Sequence, residues 1–132
     1  VNPITEYGKQ KAITERGILE LGKSGVLRLT KVIGQNDAII ECWRRKLENA
    51  EPIYPYNNVC ISPLLIQDAV CAISNIVAQE KTGIWHQGSN RELTYADYAL
   101  ELCNTWGFDS ALIRPTKKEG IHGIEYASLS CS

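Results

Sequence analysis

The chain has 132 residues, of which 44% are hydrophobic and 22% charged, and its formal net charge is -1. These values are typical of a globular domain and indicate neither a nucleic-acid partner nor an anionic membrane. No apolar run approaches the ~20 residues that a membrane-spanning helix needs, so we expect a cytoplasmic protein. The 5 cysteines are scattered without a CxxC pair and only 2 histidines accompany them, so neither a disulfide framework nor a metal site is expected.

The first predicted element is a helix that Thr5 caps and Gly22 ends. Tyr7 and Lys11 stand four residues apart near its start, a spacing that places both side chains on one helix face. A lysine ammonium beside a phenol favours the phenolate by opposite-charge attraction, so the pair could supply a general acid. The more common interpretation of such a pair is two solvated side chains. A partly buried face is expected from the apolar residues of the helix, which are Ala12, Ile13, Leu19 and Leu21.

The next elements are a strand, a helix and a stretch of irregular chain. The strand covers residues 26–30 and leads to Gly34. Asn36 is predicted to cap the second helix, which Pro52 ends. Residues 53–61, interrupted by a proline and two asparagines, predict irregular extended chain or an edge strand.

The second half of the chain predicts two further helices and two strands. A third helix over residues 65–79 carries almost no charge and is therefore expected to be well buried. A strand follows at residues 83–88. Thr94 and Asp97 form a variant of the capping box before the clearest amphipathic helix, which ends at Gly107. Residues 112–115 predict a last strand, and the chain shows no periodicity from residue 116 onward.

This order predicts an α/β fold with parallel strand pairing, because helices separate the strands. Two or three strands cannot make a parallel sheet that is covered on both faces. The sequence also contains no methionine. We therefore expect the chain to be a piece of a larger protein.

Five segments, taken in order, carry a resemblance to a known family. They are residues 7–15 with their tyrosine, lysine and glutamate, residues 27–34, Ser62-Pro63 with residues 67–69, residues 83–88 with 93–99, and residues 113–115 with Leu129. Together they resemble the C-terminal half of an extended short-chain dehydrogenase/reductase of the dTDP-4-dehydrorhamnose reductase group. The resemblance implies the C-terminal part of a Rossmann-like parallel sheet with a small substrate-binding subdomain. Residues 1–34 would hold the active-site helix and the following strand, and residues 35–132 mainly the substrate-binding region with the late sheet strand and helix.

The same resemblance implies a function and a set of site residues. The parent protein would reduce a nucleotide-linked 4-keto sugar, with NADP or NAD as hydride donor. Tyr7 would protonate the carbonyl oxygen and also contact the cofactor, Lys11 would hold the nicotinamide ribose, and Thr30 would lie at the cofactor. Lys31 and Ser62 would lie at the substrate. Thr30 could equally be a β-branched residue that ends a strand. Lys31 could meet a phosphate or a carboxylate, but the more common interpretation is a solvated lysine.

Departures from the family pattern leave several functions open. The glycine-rich dinucleotide turn and the catalytic serine or threonine of the family are not found in these 132 residues, so the piece alone is expected to be inactive. Family reductases commonly carry a tryptophan where Lys31 stands. The alternatives are a sugar-nucleotide epimerase or dehydratase, a non-catalytic regulatory subunit such as that of methionine adenosyltransferase, and a self-sufficient binding module. A homodimer is implied only by the resemblance.

Overall fold

A computed structural model of the chain describes residues 6–34, 36–120 and 125–126. Helices and short strands alternate along these residues. The α-helices are α1 (Glu6–Glu20), α2 (Ala38–Glu48), α3 (Ile66–Ala78) and α4 (Tyr95–Trp106). The strands are β1 (Gly25–Leu29), β2 (Lys31–Ile33), β3 (Val59–Ile61), β4 (Pro63–Leu65), β5 (Gly83–Gln87), β6 (Leu93–Thr94) and β7 (Glu125–Tyr126). A short 3-10 helix spans Ser110–Leu112.

β1 and β5 form a parallel pair, as the alternation of elements predicted. Gly25 pairs with Gly83 at one end and Leu29 with Gln87 at the other. The backbone N–H of Thr30 donates to the carbonyl oxygen of Gln87 over 3.2 Å, which extends the ladder by one residue. Both α1 and α3 contact β1. The predicted α/β class with parallel pairing is confirmed.

Two further sets of strands lie beyond β1. β2 follows β1 after a single residue and pairs in parallel with β4. β3 occupies the centre of a three-stranded sheet, antiparallel to β6 and parallel to β7. The prediction of irregular chain or an edge strand for residues 53–61 was therefore wrong at its C-terminal end. Pro55 lies upstream of β3, so its missing N–H costs this sheet no ladder hydrogen bond.

One cluster of the hydrophobic core joins α2 and α4 to the chain that follows each of them. Its buried members are Leu47, Ile53, Ala99 and Cys103, and Trp43, Trp106, Phe108, Leu112 and Ile113 pack against them. This cluster lies wholly within residues 35–132, the region that the sequence assigned mainly to substrate binding.

Capping groups define the ends of the core helices. α2 begins one residue later than predicted, because Asp37 rather than Asn36 is the N-cap, with its Oδ1 accepting from Ile39 N–H at 3.1 Å. The capping box of Thr94 and Asp97 is present at α4, as predicted. α4 ends at Gly107, whose φ of +77° is the left-handed conformation that glycine adopts without strain.

The sequence overestimated the burial of α1 and α3. α3 was expected to be well buried, but only Ala69 is, and Val77 is 70% exposed. In α1, Ile13 is 71% exposed and Leu21 beyond it 82%. The half-buried residues of α1 instead form the stripe Gly8, Ala12, Glu15 and Leu19. An apolar stripe becomes buried only where something covers it, and among the described residues each helix has a cover on one side only.

The segment after α4 runs beside the segment after α2. The predicted strand at residues 112–115 is the end of the 3-10 helix followed by an isolated parallel bridge between Ile113 and Ile53. Thr116 bridges Tyr56 in the same sense. Chain that was expected to be a loop thus contains ladder contacts, including β7, because it follows a neighbouring segment rather than its own periodicity. Residues 121–124 and 127–132, with the predicted family position Leu129, lie outside the described residues.

Candidate active site

The predicted pair on α1 is brought together. Lys11 Nζ lies 5.5 Å from the centroid of the Tyr7 ring, within the range of a cation–π contact. Both side chains are exposed, Tyr7 to 70%. They therefore form an accessible phenol with an ammonium beside it on one face of the helix.

A charged pair joins α1 to β1 one turn beyond Lys11. Arg28 Nε donates to both carboxylate oxygens of Glu15, over 3.0 and 3.2 Å, and Arg28 Nη2 makes a further contact with Oε2. The side chains are only 18% and 20% exposed. The hydrogen bond from Arg28 lowers the pKa of the Glu15 carboxyl, and the same bond raises the pKa of Arg28. The pair is therefore fully ionised near neutral pH.

Thr30 lies between β1 and β2, at the carboxyl end of β1. It is only 6% exposed, and its Oγ1 has no hydrogen-bond partner among the described residues. Buried hydroxyls are nearly always paired, so this atom is a group that a bound ligand can satisfy. In open α/β sheets, ligands bind outside the carboxyl ends of the strands, which is where Thr30 stands.

Lys31 is neither freely solvated nor unpaired. Its Nζ lies 2.8 Å from Oδ2 of Asp37, and that carboxylate also caps α2. Burial acts to raise the pKa of Asp37, but the hydrogen bond and charge of Lys31 and the N–H groups at the start of α2 outweigh it, so the pKa is lowered. The pair ties the start of β2 to the start of α2.

Ser62 is buried between β3 and β4. Its hydroxyl donates to the carbonyl oxygen of Ser89, over 3.1 Å, and so connects this corner to the loop after β5. The structure thus places Ser62 in a connection between strands, and its predicted contact with substrate stays a prediction.

The sequence did not predict an aromatic pocket of about 380 Å³ beside α2. Its lining residues are Ile39, Trp43, Tyr54, Pro55, Tyr56, Val59, Tyr95 and Lys118. Trp43 and Tyr95 meet edge to face, with ring centroids 6.2 Å apart. One sequence signal could have revealed it: Tyr54 and Tyr56 stand two residues apart in predicted extended chain, a spacing that places both side chains on the same face.

A layer of side chains separates this pocket from the Lys31–Asp37 ion pair. Ile39, Trp43 and Tyr95 line the pocket and also enclose a space of only about 10 Å³ next to Lys31 and Asp37. Tyr98 borders the same space, and burial together with the charges of Asp37 and Glu101 raises its pKa. The end of β1 and the aromatic pocket are therefore connected through closely packed side chains.

Other chemistries find little support in the described part of the chain. No group of histidine, cysteine, aspartate and glutamate side chains there could hold a metal ion. Burial raises the pKa of the Cys60 and Cys103 thiols, which makes them poor nucleophiles. Of the helices that the structure describes, none has the length and apolar character needed to cross a membrane.

Helices that alternate with parallel strands, and polar residues gathered where β1 ends, define a Rossmann-like α/β protein. Within that class the chain belongs to the RmlD substrate binding domain family, whose family model matches residues 1–123. The resemblance to dTDP-4-dehydrorhamnose reductases is confirmed at this level.

Solved structures share the fold. A dTDP-4-dehydrorhamnose reductase from Clostridium acetobutylicum is 18% identical, with a TM-score of 0.81 over 93% of this chain and 44% of that chain. One from Bacillus anthracis, in complex with NADP, is 18% identical, with a TM-score of 0.82 over 95% and 46%. A UDP-N-acetylglucosamine 4-epimerase from Bacillus cereus is 25% identical, with a TM-score of 0.74 over 96% and 48%. The chain thus spans less than half the length of these proteins. A search of curated protein sequences gave no significant match.

Proposed function

We propose that the protein to which this chain belongs reduces a nucleotide-linked 4-keto sugar, with NADP or NAD as cofactor. The observation that carries the proposal is the Tyr7–Lys11 pair on α1. The Glu15–Arg28 hydrogen bonds join this helix to β1, and β1 leads directly to Thr30, whose hydroxyl has no partner among the described residues. The similar solved structures support it, since two are dTDP-4-dehydrorhamnose reductases and one of these is in complex with NADP. We also propose that residues 1–34 hold the active-site helix and the following strand, and that residues 35–132 form mainly the substrate-binding region. We further propose that the protein is cytoplasmic and forms a homodimer.

The residues of this chain would divide the work as follows. A nicotinamide cofactor, when bound, supplies hydride to the keto carbon. Lys11 and Thr30 would hold it, the ammonium at ribose hydroxyls and the hydroxyl at the end of β1. Tyr7 would donate its phenolic proton to the carbonyl oxygen as the negative charge develops there, and the Lys11 ammonium would stabilise the phenolate that remains.

The aromatic pocket suits the nucleotide end of the substrate. Aromatic rings stack on a nucleobase or on the apolar face of a sugar, and the lysine that lines the pocket complements a diphosphate. Lys31 belongs to the wall behind this pocket through Asp37, so we propose that it acts on substrate affinity by holding α2. Ser62 would support the same region from the β3–β4 corner.

The decisive experiment replaces Tyr7 by Phe in the full-length protein. Removing the proton donor should lower turnover of a dTDP-linked 4-keto sugar by about 10²–10⁴-fold, with NADPH affinity measured by fluorescence changed little. Lys11→Met should lower both turnover and cofactor affinity. Lys9→Met is its control on the same helix, because Lys9 pairs with Glu6 rather than contacting Tyr7. Unchanged turnover in Tyr7→Phe would contradict the proposal.

An epimerase or dehydratase is the second candidate, because the Bacillus cereus 4-epimerase shares the fold at 25% identity. Product analysis separates the two. A reductase consumes one NAD(P)H for each sugar, whereas an epimerase or dehydratase returns its cofactor to the starting state. If the full-length protein binds the nucleotide but turns over none of these substrates, the regulatory-subunit alternative is favoured.

A further inference from the structure

α1 is held on the sheet by little apolar contact. None of its 15 residues, all of which the structure describes, is buried. Its stripe toward β1 contains a glycine, an alanine and a leucine, and the fourth member is Glu15. Contacts between small apolar side chains are non-directional, so they would allow the helix to slide or roll.

The Glu15–Arg28 pair has the geometry that such contacts lack. Arg28 binds Glu15 at two guanidinium nitrogens, in a fork that fixes the relative orientation of the two groups. Each partner is about four-fifths buried, so solvent competes little for these bonds. A groove of about 410 Å³ borders the pair on the α1 side, lined by Arg16, Glu20 and Ile84 among others, which leaves the helix without cover there.

Position along the chain links the pair to the proposed chemistry. Glu15 lies one turn after Lys11 and two turns after Tyr7 on α1, and Arg28 lies two residues before Thr30 on β1. We infer that Glu15 and Arg28 are positioning residues, whose ion pair sets the place of Tyr7 and Lys11 relative to the end of β1. This inference rests on the proposed function. A displacement of about 1 Å at a reacting group can cost about 10²-fold in rate, so a helix with weak apolar anchoring needs a directional one.

The surrounding charges favour the ionised pair. Besides Arg28, Lys11 on the same helix and His86 on β5 act on Glu15 in the direction that keeps its carboxylate charged. His86 stands opposite Arg28 in the β1–β5 register. The carboxylate therefore faces cationic or titratable groups from α1, β1 and β5.

The test uses the full-length protein and three variants of the pair. Glu15→Gln removes the charge, Arg28→Lys keeps the charge but loses the fork, and the double variant Glu15→Arg with Arg28→Glu restores a pair in reverse. We expect Glu15→Gln to lower kcat by about 10- to 100-fold, with KM for the sugar within about threefold. The kcat of Arg28→Lys should lie between those of the wild type and Glu15→Gln. The reversed pair should recover part of the kcat that Glu15→Gln loses.

A second readout does not depend on turnover. Amide hydrogen exchange of residues 6–11 should be faster in Glu15→Gln, since the helix loses its directional anchor. Glu48→Gln is the matched control, because it breaks the exposed Arg44–Glu48 pair on α2. It should change neither exchange in α1 nor kcat.

The outcomes separate the inference from the proposed function. If Tyr7→Phe abolishes turnover while Glu15→Gln and Arg28→Lys keep wild-type kcat and exchange, the function stands and the inference is overturned. If Tyr7→Phe keeps full turnover, the proposed function fails first. If Glu15→Gln strongly lowers the thermal midpoint, its loss of kcat could come from unfolding, and the kcat values of Arg28→Lys and of the reversed pair then test the inference. A reversed pair that has a native thermal midpoint but does not recover kcat contradicts the positioning role.

Discussion

The two regions of this chain bury very different shares of their apolar surface. In the subdomain region, formed by α2, β3, β6 and α4, the helix α4 buries Ala96, Ala99 and Cys103 and is capped at both ends. In the sheet region, formed by α1, β1, α3 and β5, α1 buries nothing and α3 only Ala69. Yet the stretch that forms α3 is rich in aliphatic residues and nearly free of charge.

The difference shows that apolar composition and burial are separate properties. The subdomain region folds around its own core, because α2, α4 and the chain after them close on one another. The sheet region has two parallel strands in the described residues, and a parallel sheet requires covered faces and further strands. We therefore expect its stability to depend on the longer protein.

The largest expected effect compares two isoleucines in the 132-residue chain. Ile53→Ala, at a site that is 1% exposed, should lower the free energy of unfolding by about 2–5 kcal/mol, from lost transfer energy and the cavity left behind. Ile73→Ala on α3, at a site that is 47% exposed, should cost about 0.5 kcal/mol or less. Urea unfolding measures the free energy of unfolding of both variants, and equal losses would contradict the difference in burial between the two regions.

The same α3 variant sharpens the comparison in the full-length protein. If residues outside these 132 cover α3 in the full-length protein, Ile73→Ala should become more costly there, by about 2 kcal/mol, because the removed side-chain carbons are then buried. Val77→Ala should change in the same direction. An unchanged small effect in the longer protein would show that α3 stays uncovered.

A pair of glycines should differ in sign between the two regions. Gly107→Ala places a Cβ at a φ of +77° at the end of α4 and should destabilise by about 1–2 kcal/mol. Gly17→Ala lies inside α1 with nothing within 4 Å of its new Cβ, and should stabilise by up to about 1 kcal/mol. Thermal unfolding of the two variants gives both signs, and a loss in Gly17→Ala would mean that another part of the protein approaches α1 there.

The smallest expected effect is the pH dependence of the Lys31–Asp37 pair, which joins β2 to α2 of the subdomain region. Because the folded-state pKa of Asp37 is lowered, the pair stabilises above the unfolded-state pKa of about 4, and this contribution is lost as pH falls through the folded-state value. Its size should be about 1 kcal/mol or less.

Asp37→Asn keeps an N-cap but should remove this part of the acid dependence, whereas Asp109→Asn, at the cap of the 3-10 helix, should leave it in place. Equal acid profiles for wild type and Asp37→Asn would contradict it.

Local patterns in the sequence were enough for the four helices, for the strands β1 and β5, and for the proximity of Tyr7 and Lys11. The Thr94–Asp97 box and Gly107 bound α4 correctly, because capping and left-handed glycine depend on a few adjacent residues. The four-residue spacing of Tyr7 and Lys11 was enough to place them together, since helix geometry alone decides it. The parallel α/β class followed from the order of helices and strands.

Tertiary structure decided what the local patterns leave open. Burial of α3 depends on which surfaces cover it, and the aromatic pocket of Trp43, Tyr54 and Tyr56 depends on how α2 packs beside the following chain. The ion pairs of Glu15 with Arg28 and of Lys31 with Asp37 likewise required the folded chain. The sequence by itself determined the four helices, the strands β1 and β5, and the tyrosine–lysine pair, because these rest on neighbours in the chain. Only the tertiary structure determined where that pair is anchored, because an anchor is a contact between residues on separate elements.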